Sequence, residues 1–154
     1  MNKFLRVLGY IWCSPVTAVG LAYALLFWAA GWYRWWGVVE DALVWTVNLD
    51  TSPSWLATLW KGWGGHTVGN VVVMRYKPDV RPVIMAHELV HVAQCMKMGV
   101  FQPIVYLIIY LTLKFFCKHA DAYYDNSLEV DARRGAGQLI DVVGAQKKLA
   151  SKQG

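Results

Sequence analysis

The sequence predicts an α+β fold: a small core of helices with a short sheet, behind an apolar amino-terminal helix. Three observations predict it. Charged residues make up 16% of the 154 residues and hydrophobic residues 56%, against roughly 25% charged in a typical soluble domain. Residues 7–33 carry no formal charge. Further on, a Val-rich run at 67–76 has the composition of a strand and lies between helical segments. The chain divides into an anchoring segment, 1–36, and a domain, 37–150. This composition excludes disordered, collagen-like and coiled-coil chains. Nine Trp, eight Tyr and five Phe point to a membrane interface. The net charge of +5 suits an anionic membrane surface; no basic cluster with interleaved aromatics is present, so nucleic acid is not an expected partner. Cys13, Cys95 and Cys117 are odd in number and widely spaced, which reads as reduced thiols with no cysteine-based zinc spacing.

As one helix, residues 7–33 would be roughly 40 Å long, against a hydrocarbon core of about 30 Å. Ser14-Pro15 reads as an N-cap followed by a first-turn proline. The expectation is therefore a short amphipathic helix over Lys3–Trp12 and an apolar, transmembrane helix from Pro15 to about Tyr33, about 28 Å long. Between Val16 and Ala30 it is apolar or small all round except Thr17, unlike the single stripe of a core helix. Trp28, Trp32, Tyr33, Trp35 and Trp36, with Arg34, make the expected aromatic belt. Ala22-Tyr23-Ala24 has the small-residue form of a cleavage site, but Leu25 to Trp28 carry the apolar run past it, so a retained helix is expected. Lys3 and Arg6 before the run, against Arg34 after it, place the amino terminus inside. Unpaired cysteines favour the opposite arrangement, and the side of the membrane stays open.

A short strand is expected within 38–49. Asp50-Thr51-Ser52-Pro53 starts one or two amphipathic helical turns, ended by Gly62, Gly64 and Gly65. Thr67–Tyr76 reads as one strand, closed by Lys77-Pro78. Val80–Met98 reads as a helix with Pro82 in its first turn and Gly99 as its left-handed cap. Pro103–Cys117 forms a second apolar helix of about 22 Å, too short to span and so either buried or shallowly dipping into a membrane. A last helix begins after Asn126 and runs to about Leu149, with a basic end at Lys147, Lys148 and Lys152.

Within the fourth of these segments His87-Glu88-Leu89-Val90-His91 is an H-E-x-x-H pattern. On a helix the two histidines lie about 40° apart and one turn along, so both imidazoles reach one metal. Imidazole suits zinc, and two His plus one carboxylate with an open position describes a catalytic site. Glu88 is placed to act as general base. The third ligand must come from elsewhere. Glu129 falls in the first turn of the last helix, where it also fits a capping box with Asn126. His119, Asp121, Asp125 and Asp131 compete with it; Glu129 leads because a first-turn carboxylate is rigidly held. His66 reads either as a substrate contact or as an exposed loop histidine.

AHELVHVAQ (86–94) followed by DNSLEVDAR (125–133) resembles the minimal zinc metallopeptidase-like proteins of the gluzincin group, of the short bacterial and phage kind with an HELxHVxQ helix and a later N-x-x-E-x-x-A helix. The resemblance covers roughly residues 66–134. It implies a zincin-like core, zinc held by His87, His91 and Glu129, Glu88 as base, and hydrolysis of a peptide or protein substrate that pairs with a strand edge. With the apolar helix it implies a bacterial or phage-encoded inner-membrane protein in contact with membrane lipid. The sequence departs from the thermolysin-like pattern in carrying Arg133 where an Asp usually orients a ligand. Tyr123 or Tyr124 is the candidate oxyanion donor. The alternative from another class is a non-catalytic, membrane-anchored scaffold used for binding or assembly, since 154 residues leave little chain for a deep cleft.

Overall fold

Residues 3–118 and 120–138 are described by a computed structural model. The first element, α1 (Lys3–Ala29), is one continuous helix of 27 residues with Pro15 inside it, which corrects the two-helix expectation. Pro15 has no N–H to give to the Ile11 carbonyl, the usual reason for a break. Here the Ser14 hydroxyl donates to Ile11 O at 2.7 Å, so the orphaned acceptor is satisfied and the helix continues. α1 is long and apolar enough to cross a membrane. It stops at Ala29 rather than Tyr33, and Gly31 at φ 76° turns the chain. Tyr33, Trp35 and Trp36 consequently stand in strand β1 (Tyr33–Val39) and not in a belt at a helix end. Aromatic and β-branched residues suit that pleated surface.

β1 pairs antiparallel with β2 (Ala42–Val47), and α2 (Ser54–Lys61) follows. The single strand expected over 67–76 is instead a hairpin, β3 (Gly65–Val68) and β4 (Val71–Met74). Gly69 supplies the φ of 66° that the two-residue Gly69-Asn70 turn needs. Asn70 then ties the turn to α1 and to the first hairpin: its N–H donates to Thr17 Oγ1 at 3.0 Å and its side chain to Asp41 O at 2.8 Å. The sheet order is β1-β2-β4-β3, with β2 and β4 parallel and β3 on an edge. Three helices complete the described residues: α3 (Pro82–Met98), α4 (Phe101–Phe116) and α5 (Ser127–Gly135). α4 leaves α3 at a bend of 113° through Gly99 at φ 59°. No α4 residue is buried, which removes the buried alternative for that helix. α5 ends at Gly135 rather than near Leu149, with Gly137 at φ 65° beyond it. Lys147, Lys148 and Lys152 lie outside the described residues.

β4 organises the core. Its side chains alternate across the pleat. Val72 and Met74 join Met85, Val92 and Met96 of α3, while Val71 and Val73 join Tyr33, Trp45, Leu56 and Trp60 on the other face. α1 contributes to both faces, through Cys13 and Ala24. Cys13 forms a disulfide with Cys95 of α3, Cα atoms 5.7 Å apart. This corrects the expectation of reduced thiols: the partners are 82 residues apart, so only the packing of α1 on α3 reveals the pair. Cys117 is free and exposed.

The packed stripe of α1 runs through Gly9, Cys13, Gly20 and Ala24. Small residues there admit close approach. A Cβ on Gly20 would strike the Val68 carbonyl and come within 2.9 Å of Val71 Cβ, whereas a Cβ on Gly62 meets nothing. Gly20→Ala is therefore expected to lower stability by about 1–3 kcal/mol in urea unfolding. Gly62→Ala should stay within about 0.5 kcal/mol of the parent; equal effects would contradict the α1 packing.

Candidate metal centre

Helix α3 turns His87, Glu88, His91 and Gln94 inward, all buried. The Nε2 atoms of His87 and His91 lie 3.2 Å apart. The buried Glu129 carboxylate approaches the same point, Oε2 at 3.2 Å from His87 Nε2 and Oε1 at 3.5 Å from His91 Nε2. These three side chains form a buried group that could hold a metal ion.

Hydrogen-bond chemistry decides how the group is protonated. Gln94 Nε2 donates to the Leu128 carbonyl at 3.0 Å. A carbonyl only accepts, so the amide oxygen of Gln94 is the atom facing His91 Nδ1 at 2.8 Å. That oxygen needs a proton from Nδ1, which leaves His91 Nε2 with its lone pair when the ring is neutral. His87 Nδ1 meets the amide oxygen of Gln138 at 3.1 Å, to the same effect. Two lone pairs and a carboxylate thus converge, and Glu129 Oε2 is buried with no hydrogen-bond partner. This donor set fits a cation, with each imidazole oriented by the bond at its other nitrogen. Left to protons, the group shows the same demand. Burial alone would lower His91 and raise Glu129, but Glu129 raises His91, and His87 and His91 together hold Glu129 well below the usual carboxylate range.

The competing candidates make local bonds of their own. Asn126 caps α5 by accepting from Leu128 N at 3.0 Å, yet Glu129 does not reach back to the Asn126 N–H, which donates instead to Tyr123 O. Asp121 accepts from the Tyr123 and Tyr124 N–H groups, and Asp125 from Asp121 N. Asp131 is exposed beside Arg134. His119 lies outside the described residues. Arg133 orients no histidine; it donates to Tyr124 O and lies over the rings of Tyr123 and Tyr124, 5.7 and 5.3 Å from their centroids.

Glu88 faces the same cavity, about 610 Å³, as His87, His91, Glu129 and Tyr123. Burial pushes its carboxyl up, against the nearby His91, and its Oε2 accepts from Thr67 Oγ1 of edge strand β3 at 2.7 Å. Tyr106 of α4 was missed by sequence reasoning. Its hydroxyl donates to Glu129 Oε1 at 3.0 Å, and an apolar helix offers no motif to announce it. His66 is no exposed loop histidine: its ring stacks between Tyr23 and Trp60, with Nε2 2.6 Å from the Tyr23 hydroxyl. The residue is partly exposed, but Nδ1 is fully buried without a partner.

Compared with protein-family models, with curated proteins and with solved structures, the chain finds no match.

Burial pushes His66 down from 6.5 to about 4. The unfolded chain takes up this proton near pH 6.5 and the folded chain does not. The stability contribution is therefore complete above pH 6.5 and lost as pH falls towards 4. Between pH 7 and pH 5 the parent should lose about 2 kcal/mol more in urea unfolding than His66→Phe. Identical pH slopes would contradict the buried neutral ring.

Proposed function

We propose that this chain is a membrane-associated, zinc-dependent peptidase of the gluzincin kind. One observation carries the reading: two imidazole lone pairs and the Glu129 carboxylate converge beside the buried Glu88 in a single cavity. Bound there, zinc would supply a Lewis acid for the peptide carbonyl and lower the pKa of water to about 7. His87, His91 and Glu129 would hold it. Glu88 takes the proton from the attacking water and later delivers it to the departing amine. Thr67 keeps the Glu88 carboxylate on the cavity side of β3; Tyr123 and Tyr124 line the cavity and would be the hydroxyls offered to the carbonyl oxygen, while Tyr106 gives its proton to Glu129.

The membrane half of the proposal rests on α1, whose outer face exposes Phe4, Val7, Ile11, Val19 and Leu26. The Cys13–Cys95 disulfide favours an oxidising compartment; Arg6 pairs with Asp41 between β1 and β2, so the start of α1 lies beside the core. The disulfide supports a core outside the cytoplasm, on a bacterial or phage-encoded inner-membrane protein.

Glu88→Gln keeps the ligands and removes the proton acceptor. Zinc content should persist while cleavage of a peptide library falls by about 10²–10⁴; wild-type turnover would contradict the mechanism. Glu129→Gln removes an anionic ligand while Asn126 still caps α5. Zinc affinity should fall at least about tenfold with helical circular dichroism kept, and unchanged affinity would remove Glu129 from the site. Zinc retention without any cleavage by the parent would favour a binding or assembly scaffold instead.

A further inference from the structure

Helix α4 is inside out for a water-soluble surface. Gln102, Tyr106 and Tyr110 turn inward and are partly covered, leaving Thr112 and Lys114 as its exposed polar side chains, and Gln102, Pro103 and Tyr106 line the metal cavity. Its outer face is Phe101, Ile104, Leu107, Ile108, Leu111 and Phe115, all exposed. A surface helix in water shows the reverse polarity. Trp12 of α1 packs on Phe101 with ring centroids 6.0 Å apart, so the apolar outer faces of the two helices meet at the α3–α4 bend.

The charges select what covers this face. No acidic residue occurs between Glu88 and Asp121, while Lys97, Lys114 and Lys118 are exposed around α4. The Lys114 ammonium lies over the Tyr110 and Phe115 rings, 5.6 and 5.8 Å from their centroids, with its stem along apolar surface. At about 24 Å α4 is too short to cross a hydrocarbon core of about 30 Å. An apolar face rimmed by lysines is the signature of a helix lying in the interface of an anionic bilayer.

We infer that the outer face of α4 rests on anionic phospholipid and sets the wall of the metal cavity against the bilayer surface, so that the substrate is a polypeptide segment held at that surface. The substrate half rests on the peptidase reading; the lipid half does not. Because α4 carries Gln102, Pro103 and Tyr106 into the cavity, a chain anchored in the same leaflet is concentrated beside Glu88, whereas a free peptide must arrive from bulk water.

The test uses the full chain with Cys117→Ser and a single new thiol, Ile108→Cys, labelled with an environment-sensitive dye in vesicles of phosphatidylcholine and phosphatidylglycerol. Parallel labels at Val19→Cys and Lys61→Cys report the outer face of α1 and the exposed end of α2. Lipid-borne quenchers should quench the dye at Ile108 as strongly as at Val19 and leave Lys61 untouched. Quenching at Val19 without quenching at Ile108 would overturn the inference. A dye at Ile108 shielded from aqueous iodide but not from protein concentration would mean that a second copy sits on α4, and overturns it too. On the same vesicles, one peptide sequence is offered free and with a palmitoyl anchor. The anchored form should be cut about tenfold faster, and equal rates would overturn the substrate class. If neither form is cut, the peptidase reading fails, while quenching at Ile108 still decides the lipid contact.

Discussion

Two imidazole nitrogens with their protons turned away, and one carboxylate oxygen without a hydrogen-bond partner, share a buried space in which they can be reconciled only by positive charge. The rest of the site exists to enforce that arrangement. Gln94 and Gln138 hold the Nδ1 protons of His91 and His87, and the Leu128 carbonyl fixes which way Gln94 faces. Tyr106 takes one oxygen of Glu129 and leaves the other towards His87. Orientation by such outer bonds is what separates a ligand set from histidines that happen to be close.

The fold supplies the rigidity. β4 is buried on both faces, so α3 is pressed on one side while α2 and the aromatic cluster close the other. α1 is no loose tether. It packs along the sheet and α3, is bonded to Asn70 through Thr17, and is joined covalently to α3 one residue after Gln94. Displacing α1 would therefore disturb the residue that orients His91. The hairpin β3–β4 brings Thr67 to Glu88, and α5 presents Glu129 from its capped first turn.

What was legible in the sequence was local. His87, Glu88 and His91 follow from helix geometry, and Glu129 from a position three residues after an N-cap. The α3 ends were legible because Pro82 and Gly99 mark them chemically. The misses are non-local or involve competition between two local rules. Ser14-Pro15 carries a helix-start signal, but the Ser14 hydroxyl instead repairs the gap that Pro15 leaves. Gly69-Asn70 turns the chain inside the Val-rich run, where strand composition on both sides masks a two-residue turn. The disulfide, Tyr106 and the sandwiched His66 depend on which helices touch, which no spacing in the chain encodes.

The central claim is that His87, His91 and Glu129 bind one metal ion through the two Nε2 atoms and a carboxylate oxygen. X-ray absorption at the zinc edge of the purified, zinc-loaded full chain tests it most directly. The account predicts a first shell of two imidazole nitrogens and light oxygen atoms at about 2.0–2.2 Å, with one imidazole lost in His87→Ala. A shell containing sulfur, or an imidazole count unchanged by that substitution, would contradict it.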